Sequence, residues 1–182
     1  CRLVRTYAYT MVDQMVLMSF GPQALAVESP TRETLKPLAD SSRGFVLLHA
    51  HVGCWQVGMS TLGHFDKKIA VVMIPDGHSA SMFDPKTTRI IDVRTGMQSL
   101  MEMTDALLSG DILAMMGDRT IGSEQNLIDV QFLGATAWLP TLPYRLASAA
   151  GVPVVVLAAP RINKHAYEMR LAKVIEVPPG AG

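Results

Sequence analysis

The sequence has little cysteine, no excess charge of either sign and no long hydrophobic run, and each of these narrows what the chain can be. Its two cysteines, Cys1 and Cys54, form neither a disulfide framework nor a metal-ligand spacing, which points to reducing, cytosol-facing surroundings. Sixteen basic residues balance sixteen acidic ones, so no global field favours a nucleic-acid partner. No apolar stretch reaches the roughly 18–20 residues that cross a bilayer, and no signal peptide is visible.

Recognised catalytic signatures are scarce as well. There is no Gly-x-Ser-x-Gly nucleophile elbow and no glycine-rich loop of the Walker or dinucleotide kind. His64, His78 and His165 follow no ligand spacing, so neither a metal nor another cofactor is expected.

What is present suits one sizeable core: 182 residues, 49% of them hydrophobic, too few for two full domains. The twelve methionines read mainly as filler of irregular core gaps, with an adaptable acyl-chain lining as the alternative. Val4, Tyr7, Met11, Met15 and Met18 recur at helical spacing before Gly21-Pro22, which predicts a first amphipathic helix. A second short helix is expected over 31–39 and others over 54–62, 97–108 and from Leu139-Pro140 to Ala150-Gly151. Compact apolar runs at 45–48, 69–74, 112–116 and 154–158 read as buried strands, with 89–93, 128–132 and 167–177 as further ones. Strands alternating with amphipathic helices indicate an α/β fold: a mixed, largely parallel sheet flanked by helices. The expected organisation is a single domain, 1–182, with a helical lead-in at 1–42 and an α/β core at 43–182.

In such sheets ligands gather beyond the carboxyl ends of the strands, and two polar clusters fall there. One is His49-Ala50-His51-Val52-Gly53-Cys54-Trp55-Gln56; the other is Gly117-Asp118-Arg119. His51 stands where a strand gives way to a glycine-containing turn, a place for a general base, although position alone also fits a satisfied loop histidine. Gln56 is expected to fold back onto one ring nitrogen of His51. His49, deeper in the strand, reads as structural or supporting. Cys54 is either a low-pKa thiolate or, the reading adopted here, a packing residue.

The stretch Gly44 to Gln56 resembles a block of the bacterial lipid A biosynthesis acyltransferases, within the lysophospholipid acyltransferase superfamily, in which a strand leads to His-x-Gly-Asn-Trp-Glu. Gly110 through Arg119 is similar to the family's second region, and Val130-Gln131-Phe132-Leu133-Gly134 to its Phe-Phe-Gly turn. Leu139-Pro140-Thr141 to Val155 resembles its passage into Gly-Ala-Pro-Val-Val. Together these blocks cover roughly 43–161, in order.

The resemblance implies a fold like that of the glycerolphosphate acyltransferases. It also implies transfer of a fatty acyl group from acyl carrier protein, or acyl-CoA, to a hydroxyl of a lipid A precursor or related membrane lipid, at the cytoplasmic face of the bacterial inner membrane. His51 matches the family's histidine, and Gln56 stands where the family carries Asp or Glu. His51 and Gln56 are therefore the expected catalytic pair. Gly53, Cys54 and Trp55 are expected to offer backbone amides to the oxyanion. Arg119 is expected to bind a phosphate with Asp118 orienting it, unless the two form a purely structural pair. Because Gln56 carries no charge, three outcomes stay open: a working variant, a pair completed by another carboxylate such as Glu102 or Asp118, or a catalytically weak lipid or carrier-protein binding module. A thioesterase, with His51 activating water, is a further reading. The start without Met agrees with a fragment lacking an N-terminal membrane anchor. Peripheral membrane contact is expected, with Val130, Phe132, Leu133 and Trp138 as an apolar rim or as core, Val130 and Phe132 being assigned to core.

Overall fold

The computed structural model describes residues 2–60, 62–75, 83–119, 126–164 and 166–180. Its centre is a six-stranded sheet in the order β10-β8-β2-β5-β3-β4. These strands are β2 (Phe45–His49), β3 (Ile69–Met73), β4 (Thr88–Asp92), β5 (Ile112–Met116), β8 (Val154–Ala158) and β10 (Arg170–Ile175). All neighbouring pairs run parallel except β10 against β8. β2 is buried along its whole length, which is why Phe45-Val46-Leu47-Leu48 reads as an unbroken apolar run: both faces of a central parallel strand are covered.

Alternation along the strands sends side chains to two cores. Val46, Leu48, Leu113 and Val154 meet Met103 and Leu107 of α4 (Met97–Leu108) and Leu146 of α5 (Leu142–Ala150). Phe45, Leu47, Ile112 and Ala114 face the other way, toward Leu35 of α2 (Arg32–Asp40) and Met59 of α3 (Trp55–Ser60). The chain thus leaves β2 by a helix on one face and reaches β8 from β5 by a helix on the other. The carboxyl ends of β2 and β5, whose connections leave to opposite faces of the sheet, are the kind of place where open α/β sheets bind their ligands.

Two expectations are corrected. The segment 167–177 is two strands rather than one. Ala166–Glu168 (β9) pairs in parallel with Ala26–Glu28 (β1), and the chain changes partner at Met169, whose N–H goes to the Glu28 carbonyl at 2.7 Å. The first helix, α1 (Arg2–Phe20), forms, but its periodic apolar residues Val4, Tyr7, Met11, Met15 and Met18 are exposed. The side it buries carries Asp13 and Leu17. Among the described residues, no helix is long and apolar enough to cross a membrane.

Between β5 and α5 stands a separate antiparallel hairpin, β6 (Leu127–Phe132) and β7 (Ala135–Pro140). Its base is tied to the start of α5: Thr141 N–H and Oγ1 both donate to the Asn126 carbonyl, at 2.8 and 3.1 Å. Phe132 is paired with Ala135, which leaves a two-residue turn of Leu133 and Gly134, both at positive φ, 52° and 83°. That is the signature of a type I′ turn, which favours Asn-Gly. A leucine in left-handed backbone costs roughly 1–2 kcal/mol, and Leu133, 91% exposed, recovers little of it through packing. Phe132, expected in the core, is 62% exposed instead, because among the described residues the hairpin pairs only with itself, whereas Val130 is half-buried. Leu133→Asn is expected to raise the unfolding free energy by about 1 kcal/mol, measured by urea denaturation.

Candidate active site

β2 and β5 are five residues each and pair without slippage from Phe45↔Ile112 to His49↔Met116. Gly117 N–H continues the ladder onto the His49 carbonyl at 2.7 Å. Two residues past each strand end, the same register brings His51 and Asp118 to one level. The carboxylate of Asp118 grips His51 twice. Its Oδ2 accepts the His51 backbone N–H at 2.8 Å, and its Oδ1 lies 2.8 Å from ring Nδ1. An ionised carboxylate can only accept, so the proton sits on Nδ1 and the lone pair on Nε2. Both side chains are about a third exposed, 31% for His51 and 33% for Asp118. Burial works against the Asp118 carboxylate, but the hydrogen bonds from the His51 backbone and ring, joined by the ring's charge whenever it is protonated, outweigh this and hold the carboxyl below its ordinary range.

The turn that carries His51 is pinned on its other side by Gly53. This residue makes a parallel bridge to Ala159, just past β8. Its φ is +73°, and a Cβ there would fall 1.9 Å from the Ala159 carbonyl oxygen, so only glycine lets the two backbones approach this closely. Imidazole, carboxylate and turn are therefore tied to the ends of three adjacent strands.

Gln56 does not complete the pair. α3 begins at Trp55 and its first turn directs Gln56 toward α1, where Oε1 accepts Gln14 Nε2–H at 3.3 Å and the Cys54 thiol at 3.4 Å. The partner is instead Asp118, one of the carboxylates considered. Glu102, the other, accepts Gln98 Nε2–H at 2.8 Å along α4. The signal that could have singled out Asp118 was its offset: it follows its strand by the same two residues as His51.

Cys54 is fully buried, and burial raises its thiol above the usual range, so its side chain packs and is no thiolate. Trp55 is half-buried and tilts against Phe83, with ring centroids 6.1 Å apart. Arg119 is exposed and, among the described residues, has no ion-pair partner; Asp118 is committed to His51 and does not orient it. Behind Gln56, α1 is fastened by a polar cluster. Asp13 accepts the Tyr167 hydroxyl and lies 3.2 Å from Arg161 Nε, while the Arg161 guanidinium sits 4.6 Å from the Tyr9 ring centre. No group of three or more His, Cys, Asp or Glu among the described residues is placed to hold a metal; His78 and His165 lie outside those residues.

The sequence model of a family described as bacterial lipid A biosynthesis acyltransferase matches residues 1–179. No curated protein matches the chain.

His49 is the second histidine of the block and is 3% exposed, on the α2 and α3 side of the sheet. Neither ring nitrogen has a hydrogen-bond partner among the described residues, and burial lowers its pKa to about 4. The unfolded chain, with an ordinary value of 6.5, takes up this proton first as pH falls. The native state is therefore fully stable on this account above pH 6.5 and loses stability down to about pH 4. That loss is on the order of 3 kcal/mol. Replacing His49 by Met, which stays neutral, is expected to flatten this part of the stability–pH curve, measured by urea denaturation at stepped pH.

Proposed function

The chain belongs to the bacterial lipid A biosynthesis acyltransferases, and from that premise we propose that it moves a fatty acyl group from a thioester onto a hydroxyl of a lipid A precursor, with His51 as general base. Membership makes it an acyltransferase of lipopolysaccharide biosynthesis with an acyl donor and a lipid acceptor. The base, the oxygen nucleophile, acyl carrier protein or acyl-CoA as donor, and work at the cytoplasmic face of the inner membrane are our reading. The observation that carries it is the doubly held imidazole: Asp118 binds Nδ1 and the backbone of His51, leaving Nε2 as the basic atom of a partly exposed ring beyond the strand ends.

The chemistry follows from this arrangement. A lipid alcohol has a pKa far above neutrality and is a poor nucleophile until its proton is drawn off during attack. Nε2 takes that proton as the oxygen bonds to the thioester carbonyl carbon. The imidazolium that develops stands against the Asp118 carboxylate, which stays ionised because its pKa is held down. Collapse of the tetrahedral intermediate breaks the carbon–sulfur bond, and the departing thiolate takes the proton from Nε2. For the oxyanion we assign backbone amides of the turn through Gly53, Cys54 and Trp55. Arg119, exposed beside Asp118, is assigned to a phosphate of donor or acceptor.

The binding-module alternative rested on the missing charge at Gln56, and Asp118 supplies a charge from another strand. Activity is therefore expected to respond to position 118 rather than 56. With labelled acyl carrier protein or acyl-CoA and a lipid A precursor, His51→Ala should lower transfer by roughly a hundred- to ten-thousand-fold. Asp118→Asn should cost a comparable factor, roughly a thousandfold or more, while Gln56→Ala stays within about tenfold. Equal transfer by wild type and His51→Ala would remove the base from this role. A large loss at Gln56 with none at Asp118 would return the pairing to α3.

A further inference from the structure

We propose that the β6–β7 hairpin is a wedge that enters the lipid bilayer and seats the His51–Asp118 site against it. This inference rests on the reading that the acceptor is a membrane lipid.

Four observations converge on it. First, the register places Ile128, Val130 and Phe132 on the same hairpin face as Ala135, Ala137 and Leu139, so one face is wholly apolar. Ile128 and Phe132 are exposed on it, and among the described residues the hairpin forms a sheet with no third strand. Second, the tip is strained: Leu133 adopts φ 52° while its side chain is 91% exposed. Asn would relieve the backbone and suit water better, so a leucine here is explained by a medium that takes up its side chain.

Third, polarity is graded along the hairpin. The eight residues Val130 to Ala137 carry no charge. Trp138, 59% exposed and paired with Asp129, comes four residues behind the turn, roughly 13 Å back along the strand. The uncharged tip ends at a level where an indole and a carboxylate stand side by side, as where acyl chains give way to interface and water, and the three residues of each strand ahead of that level, roughly 10 Å, compare with the roughly 5–10 Å depth of interfacial elements. Fourth, the hairpin follows β5 and Asp118 in the chain, and its base is clamped to the start of α5 through Asn126, Thr141 and Arg145. A wedge so held would bring His51 to the surface from which a lipid hydroxyl must come. A protein partner would need no such gradient.

The test is partition onto vesicles of phosphatidylethanolamine and phosphatidylglycerol, measured by co-sedimentation for wild type, Leu133→Asn, Phe132→Ser and Leu133→Phe. We expect Leu133→Asn and Phe132→Ser to lower partition at least tenfold and Leu133→Phe to retain it. The melting temperature of Leu133→Asn should be at or above that of wild type, so its loss of binding would not be loss of fold. In a Trp55→Phe background, Trp138 fluorescence should shift to the blue on vesicles and be quenched by brominated acyl chains. Unchanged partition of Leu133→Asn would overturn the proposal. So would its loss only in variants of the exposed α1 stripe, such as Met15→Asn. A fall in acyl carrier protein binding or in self-association, with vesicle partition intact, would assign the hairpin to a protein partner and equally overturn it. His51→Ala should partition like wild type, so if transfer fails with every donor while partition still depends on Leu133, the catalytic reading falls and the wedge stands.

Discussion

The site depends on the unslipped parallel pairing of β2 with β5. Five residues against five, ending at His49 opposite Met116, leave the chain no freedom about which residues emerge side by side. Two steps beyond the ladder these are an imidazole and a carboxylate. A slip of one residue would reverse the faces of a strand buried on both sides and exchange the two cores. Burial of Val46, Leu48, Phe45 and Leu47 therefore sets the position of the His51–Asp118 pair as strictly as any bond inside it.

Around that pair the structure divides labour between two glutamine and carboxylate positions. The side chain at 56, in the first turn of α3, holds α1 through Gln14 and shares a thiol proton with Cys54. The side chain at 118 holds the ring. An uncharged residue suits position 56 because Asp13, beside Arg161 and Tyr167, already acts on Cys54, the thiol partner of Gln56, and a second carboxylate there would add like charge to a buried cluster. Gly53 completes the frame: the turn between His51 and α3 lies against the end of β8 only because no Cβ intervenes. The imidazole is thus oriented by rigid elements, which a base needs if its free nitrogen is to meet a hydroxyl proton within hydrogen-bond reach.

Apolar surface is distributed unevenly, and the two places where it stays exposed differ in kind. On α1 the outward stripe accompanies a buried side that carries Asp13 beside Leu17, an arrangement that holds because Arg161 and the Tyr167 hydroxyl satisfy Asp13 against the body. On the hairpin the exposure includes a residue held in unfavourable backbone at the tip. Strain together with exposure asks more of an explanation than exposure alone, and the proposed seating in a bilayer supplies one.

The sequence by itself determined the elements whose signals are local. The ranges 97–108, 112–116 and 154–158 follow from apolar periodicity and flanking glycine, and both polar clusters stand where strand signals stop. The family blocks located His51 as well. What sequence left open were relations across distance: that 167–177 divides its pairing between β1 and β8, that the α1 stripe faces outward, that Phe132 stands clear of the core, and that His51 takes its partner from sixty-seven residues away rather than from five. The physical reason is the same in each case. Periodicity records which residues share a face, whereas the neighbour that covers the face, or the side chain that arrives beside a strand end, is fixed only when separate strands come into register.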